Sequence, residues 1–443
     1  VIEDGRVVAV ETRGELAAGG GEPVTPDALF KIASNTKAMT AAVLARLVDQ
    51  GRLRWDDPVT KYLPQLRMHD PWVTANLQVR DLLIHNSGLG LGAGDLMLWP
   101  EPNDFTRADI IAGLQYLKPV TSFRSGYAYD NLLYVVAGEV AAAAAGAPYD
   151  ELVRREVFAP LGMDGCRVGR WRMGQAGPVA LPHRRVDDRN VAMREDGETV
   201  ADITSMAAGG IRCGVDDMLT WMQAWLDPSN PWLSPAQRRA AWTAHMPMPL
   251  GERMRQWDRS HFSAYGYGWR LSDVDGQWKV AHTGTLSGMY SSLVLLPDSR
   301  TGFVILINGE GEDARTALGR LAAGIEGMVV DPVGQVVAQV GDLRHLDPRL
   351  QPGSRHGVVE HHDRGLLGPQ PPHRYPQRGV VARLASDEHR VGPLNAQRHV
   401  DAHRTRGAQQ DPDVGQRWRL TALLGGLVGL VELAQRDRQV REL

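Results

Sequence analysis

The sequence predicts an α+β fold: an antiparallel β-sheet flanked by helices, with a helical region beside it. Three observations predict it. A short β-type stretch opens the chain, helical periodicity fills the middle from Ser34 to Leu226, and the period turns to alternation between Tyr265 and Ile307. Strand material at both ends of a helical segment implies that the N-terminal strand joins the later ones in one sheet. The bulk numbers agree with a globular chain: 443 residues, 43% hydrophobic and 23% charged. A net charge of −3 argues against a nucleic-acid or anionic-membrane partner. The two cysteines, Cys166 and Cys213, are too few for a disulfide framework and belong to no C-x-x-C pair. Whether they bond each other the sequence leaves open.

In chain order, Arg6 to Val10 reads as a strand, followed by the turn Gly19-Gly20-Gly21. The chain starts at Val1 within strand material and without methionine, which reads as an N-terminal truncation and leaves the compartment open. Phe30-Lys31-Ile32-Ala33 delivers Ser34 to an amphipathic run ending at Gln50. In it Met39, Val43, Leu44, Leu47 and Val48 recur at helical spacing, and Gly51 stands where a left-handed cap belongs. Arg54 to Pro64 is a proline-punctuated loop, and Asp81 to His85 a single helical turn. Ser87, just beyond, is a turn serine: it has no lysine three residues on and no G-x-S-x-G frame. Helices are expected at Leu132–Ala145, Tyr149–Phe158 and Asp216–Leu226, the last with Met218, Trp221 and Met222 as a core stripe. Residues 166–200 are polar and read as an irregular excursion. Strands follow at Tyr265–Trp269, Trp278–Ala281, Ser291–Leu296 and Phe303–Ile307, with turns at Asp275-Gly276 and Pro297-Asp298. A final helix, Asp313–Met328, would cover the sheet.

Three short motifs carry chemistry. Ser34 and Lys37 are one helical turn apart, so the lysine amine reaches the serine hydroxyl. Serine becomes a nucleophile once a base takes its proton, and a desolvated lysine amine is such a base. A helix N-terminus supplies N–H groups for a developing oxyanion. Tyr129 and Asn131 precede a helix and can point the same way from an extended turn; a phenol moves protons, and an amide can hold a carbonyl and a lysine at once. His282-Thr283-Gly284-Thr285 is a run of small residues in strand context, where another chain segment or a ligand approaches the backbone.

Ser34-x-x-Lys37, Tyr129-x-Asn131 and His282-Thr283-Gly284, in this order, resemble the motifs of the serine β-lactamase and penicillin-binding protein superfamily, in its class C-like branch. Leu82 to Leu89 is similar to that branch's "LLxHTSGL" stretch, and Ala207-Ala208-Gly209-Gly210 followed by Asp217-Met218 to another of its segments. The resemblance covers about residues 1–330 and implies a β-lactamase/transpeptidase-like fold and a cofactor-free serine hydrolase. It implies Ser34 as nucleophile, Lys37 as its activator and Tyr129 as the group passing the proton to the leaving group. Asn131 would orient the substrate amide and Lys37, the N–H groups of Ser34 and Thr285 would hold the oxyanion, and His282, Thr283 and Gly284 would line the substrate site. Two departures stand out. The third motif usually begins with lysine, and a neutral His282 holds a substrate carboxylate less firmly. Asp130 stands where relatives have a small residue and is expected to face outward.

The expected substrates are small esters, or D-amino-acid amides and peptides, before β-lactams. The alternatives are a penicillin-binding or regulatory protein of the same fold with little turnover, and an inactive truncated product. An α/β-hydrolase is disfavoured because G-x-S-x-G is absent, and a zinc hydrolase because residues 1–330 hold no H-x-x-x-H pair. From Asp331 the composition shifts: Lys, Met, Ile, Phe and Cys vanish while Arg, His, Gln, Pro and Gly crowd in. Residues 331–443 therefore read as an irregular tail of wrong-frame character, without function, and His361-His362-Asp363 in it as no metal site.

Overall fold

The computed structural model describes residues 1–100, 104–187, 189–194 and 196–309, all within the unit Val1–Val337. The helix expected at Asp313–Met328, the tail 331–443 and His361-His362-Asp363 lie outside the described residues.

Strands β1 (Ile2–Glu3) and β2 (Arg6–Val7) form a hairpin over Asp4-Gly5, both with positive φ. The expected strand at Arg6–Val10 is thus shorter and is preceded by a partner, because Gly5 turns the chain there. A small pair, β3 (Phe30–Lys31) with β4 (Arg212–Cys213), lies apart from the main sheet. The remaining strands of the main sheet are β5 (Met246–Pro247), β6 (Ser263–Tyr265), β7 (Arg270–Val274), β8 (Gln277–Leu286), β9 (Met289–Leu296) and β10 (Thr301–Ile307). The main sheet is antiparallel, in the order β2-β1-β10-β9-β8-β7-β6-β5. Ile2 pairs with Gly302, so the N-terminal strand joins the C-terminal ones as expected. The strand expected at Tyr265–Trp269 is instead the end of β6 and a turn. Gly268 has φ +76, and a Cβ there would lie 2.6 Å from the Lys37 carbonyl oxygen, so the chain turns against the helix that carries Lys37.

Among the helices, those that frame the site and its sheet are α1 (Thr36–Asp49), α2 (Leu132–Ala145), α3 (Tyr149–Val153), α4 (Met206–Gly209) and α5 (Val215–Leu226). α1 is buried on nearly every side, with Met39, Val43, Leu44 and Leu47 at zero exposure. Each such aliphatic side chain contributes roughly 1.5–3 kcal/mol by leaving water. α5 packs on the sheet at Gly302, where a Cβ would meet Met222 at 2.9 Å. It also makes aromatic contacts: Trp221 stacks on Trp269 at 6.3 Å, and Trp225 on Trp242 at 5.1 Å. Residues 166–200 are more regular than expected, with Trp171–Arg172 paired to Thr199–Val200 and His183–Val186 to Arg189–Ala192. Cys166 and Cys213 form a disulfide that ties the start of this segment to β4. Among the described residues, no single helix is long and apolar enough to cross a membrane.

Candidate active site

Every residue from Ala28 to Ala45 is buried except Ser34. Ser34 sits in a 3-10 turn, Ala33–Asn35, just ahead of α1; the helix therefore begins two residues later than the periodicity implied. Ala33 has φ 48, a left-handed conformation that costs energy and persists only where its surroundings enforce it. The surroundings here are β9 and β8. Asn35 donates to Ser291 Oγ at 2.7 Å, and Ser291 donates to the Ile32 carbonyl at 2.6 Å. A Cβ at Gly284 of β8 would stand 2.4 Å from the Ile32 oxygen, so only glycine lets the strand come this close. The approaching segment expected at His282-Thr283-Gly284 is the turn that carries Ser34.

Lys37 is fully buried, with its Nζ 3.2 Å from Ser34 Oγ. Nζ also donates to Asn131 Oδ1 and to the Ala208 carbonyl of α4, each at 2.8 Å. Burial pulls the amine down to about 7, against the opposing pull of Asp95 and Asp130. Tyr129 hydrogen-bonds Ser34, and Lys37 lies 4.9 Å from its ring centre. Burial pushes that phenol up to about 12, so it is protonated at neutral pH. Ser34, Lys37, Tyr129 and Asn131 are therefore brought together, as the resemblance implied.

Along β8, side chains alternate: Thr283 and Thr285 are exposed, while His282, Gly284 and Leu286 are buried. His282 thus does not face the open side of the strand with the threonines. Its Nε2 pairs with the Tyr265 hydroxyl and its Nδ1 with the Thr283 carbonyl, both at 2.8 Å. Burial, with Arg270 and Lys37 nearby, holds the ring well below its usual range and hence neutral. Asp130 corrects the outward-facing expectation, for it is fully buried. Its carboxylate accepts from the Leu133 N–H at 3.1 Å, serving the free donors at the start of α2. Burial raises it to about 7. Ser87 is a buried turn serine that accepts from the Leu89 N–H, as expected.

Three participants escaped the sequence reading. Asp95, in the glycine-rich loop after Gly88, accepts from Asn131 Nδ2 at 3.1 and 3.2 Å. The Ala208 carbonyl is a backbone group, which no side-chain motif announces. Arg270, at the start of β7, has its guanidinium 5.7 Å from the Tyr129 ring centre, and its buried Nε has no hydrogen-bond partner among the described residues. A cation on a neighbouring strand was the signal to seek once histidine replaced lysine at position 282. Beside the site opens a cavity of about 470 Å³, lined by Trp171, Ile203, Met206, Gly210, Arg212 and Leu286 among others.

The family model described as Beta-lactamase matches residues 1–326. The chain belongs to the beta-lactamase family. Its relatives by sequence include hydrolases, a carboxypeptidase/endopeptidase and an esterase among them. The chain is similar to an unguisins hydrolase of Aspergillus campestris, 27% identical over 64% of this chain, and spans about half (52%) of that relative's length. It is similar to Penicillin-binding protein 4 of Amycolatopsis lactamdurans, 27% identical over 67% of this chain and 76% of the relative. Esterase EstB of Burkholderia gladioli is 34% identical over 38% of this chain and 45% of its own length. Among solved structures, the octameric penicillin-binding protein homologue from Pyrococcus abyssi aligns with a TM-score of 0.61 at 23% identity, covering 72% of each chain. That likeness is one of fold.

Proposed function

We propose that the protein is a serine hydrolase working through an acyl-enzyme on Ser34, with esters or D-amino-acid amides and peptides as substrates. The observation that carries this is the Lys37 amine, 3.2 Å from Ser34 Oγ and pulled to about 7, so that much of it is an unprotonated base at neutral pH. Ser34 Oγ attacks the substrate carbonyl carbon as Lys37 Nζ takes its proton. The oxyanion rests between the backbone N–H groups of Ser34 and Thr285. Tyr129, held as a phenol, gives its proton to the departing alkoxide or amine and is reprotonated from Lys37. Water then releases the acyl group along the same proton path in reverse.

Tyr129 is the weaker choice for the first proton. With a phenol near 12, its phenolate fraction at neutral pH is on the order of 10⁻⁵. Arg270 supplies the positive charge that His282 does not, so a leaving group bearing a carboxylate is accommodated at the β7 end of the site. The relatives' names span esterase and penicillin-binding protein.

The test is intact-mass spectrometry and nitrophenol release with p-nitrophenyl acetate and, separately, a penicillin. The expected result is turnover of the ester, lost by about 10³-fold or more in Ser34→Ala. A stable penicillin adduct without turnover of the ester would instead place the protein among penicillin binders. Neither adduct nor release from folded protein would end the hydrolase proposal.

A further inference from the structure

We propose that Asp95 is a specificity residue that takes the free ammonium group of an unblocked aminoacyl substrate, one amide group away from the catalytic lysine. This rests on the hydrolase proposed above and names its acyl group.

The Asn131 amide has one acceptor and two donors. Its oxygen is committed to Lys37 Nζ at 2.8 Å, which fixes the orientation of the amide and aims its nitrogen at Asp95. Both Asp95 oxygens lie 3.1–3.2 Å from that nitrogen. An acyl-side amide carbonyl seeking the Asn131 N–H would therefore meet a carboxylate, and two acceptors facing each other repel. An ammonium in the same place bonds the carboxylate and leaves the asparagine undisturbed.

The carboxylate is held there by construction. The Gly92 N–H donates to the Tyr129 carbonyl at 2.9 Å, which docks the loop on the catalytic segment. Gly94, with φ +80, lies so close to Leu132 that a Cβ would stand 2.5 Å from its Cδ2. Asp95 itself is half-buried and makes no ion pair among the described residues. Burial raises its carboxyl above the usual range, tempered by Asn131 and by Lys37. Lys37 cannot serve as a lasting counterion, because its role as base requires the neutral amine. A half-buried carboxylate with a single amide for company is a site for a cation.

The reach restricts the cation. Asp95 is linked to Ser34 Oγ through one asparagine amide and one lysine amine, so the ammonium must lie close to the scissile carbonyl. The α-amino group of an aminoacyl ester or amide meets that requirement. N-acylation removes the charge and puts a carbonyl in its place.

The experiment measures kcat and KM for D-phenylalanine methyl ester, N-acetyl-D-phenylalanine methyl ester and methyl 3-phenylpropionate, in the unaltered enzyme, Asp95→Asn and Asp95→Glu. The expected result is a preference of about tenfold or more in kcat/KM for the free ammonium ester, carried mainly by KM. Asp95→Asn brings the three substrates within about threefold of one another, and Asp95→Glu restores part of the preference. A preference for the N-acetylated or deaminated ester overturns the proposal, as does an ammonium preference that survives Asp95→Asn. Turnover of p-nitrophenyl acetate with none of the three methyl esters cleaved also overturns it, while leaving the hydrolase standing. Failure on p-nitrophenyl acetate as well would take down both.

Discussion

At the scale of single residues, the site turns on how burial divides the titrating groups. The same desolvation pulls Lys37 down to about 7 and pushes Tyr129 up to about 12, which under the proposed mechanism suits one as the base and the other as the proton donor. The sign of the pH dependence follows. Lys37 must be neutral to accept the Ser34 proton, so kcat/KM should fall about tenfold per pH unit below an apparent pKa near 7 and level off above it. A profile of kcat/KM for a neutral ester between pH 5 and 9 checks this. A curve still rising at pH 9 would return the lysine to its ordinary range and leave it without the role assigned to it. Asp130 belongs to the same balance. Its carboxylate, sunk under α2, favours the charged form of Lys37 and so keeps the amine from falling further.

At the scale of elements, the site is a joint between α1 and the sheet, closed by glycine. Gly284→Ala would drive a methyl group to within 2.4 Å of the Ile32 oxygen and 2.5 Å of Ser291 Oγ. The expected cost is about 1–3 kcal/mol of stability and a loss of activity of about 10²-fold, as β8 withdraws from the Ser34 turn. Gly126→Ala, at a position where a Cβ meets nothing within 4 Å, is the control and should be near neutral. Urea midpoints and ester turnover measure both. These contacts also mark the limit of what the sequence revealed. The helices α1, α2 and α5 were legible because runs of helix-forming apolar residues recur at helical spacing, even though α1 and α2 are buried nearly all round. Ser34 with Lys37, and Tyr129 with Asn131, were legible because each pair is set by short local spacing, and the family resemblance joined the two pairs. Asp95, Arg270 and the Ala208 carbonyl were not, since each reaches the site through tertiary packing. Asp130 was misplaced because its partner, the first turn of α2, is a set of backbone donors. The turn at Gly266–Trp269 was read as strand because alternation alone does not reveal a left-handed glycine.

At the scale of the whole molecule, the segment 166–213 is tied back on itself by one disulfide across a separation of 47 residues. Cys213 lies in β4, whose partner β3 runs straight into the Ser34 turn, so the bond anchors the floor of the site. Replacing both cysteines with serine should cost about 2–4 kcal/mol, chiefly by freeing the unfolded chain. The check is the urea midpoint of the double variant, with an m-value that rises as the unlinked unfolded chain exposes more surface; an unchanged midpoint would show that the pair contributes nothing. The sheet itself is closed by segments from opposite ends of the described chain, Ile2 beside Gly302. During synthesis the ribosome releases β1, α1 and α2 long before β8, β9 and β10 exist. Ser34 thus leaves the exit tunnel early and waits for the strands that pin its turn, so its surroundings stay incomplete in a nascent chain until β10 has emerged.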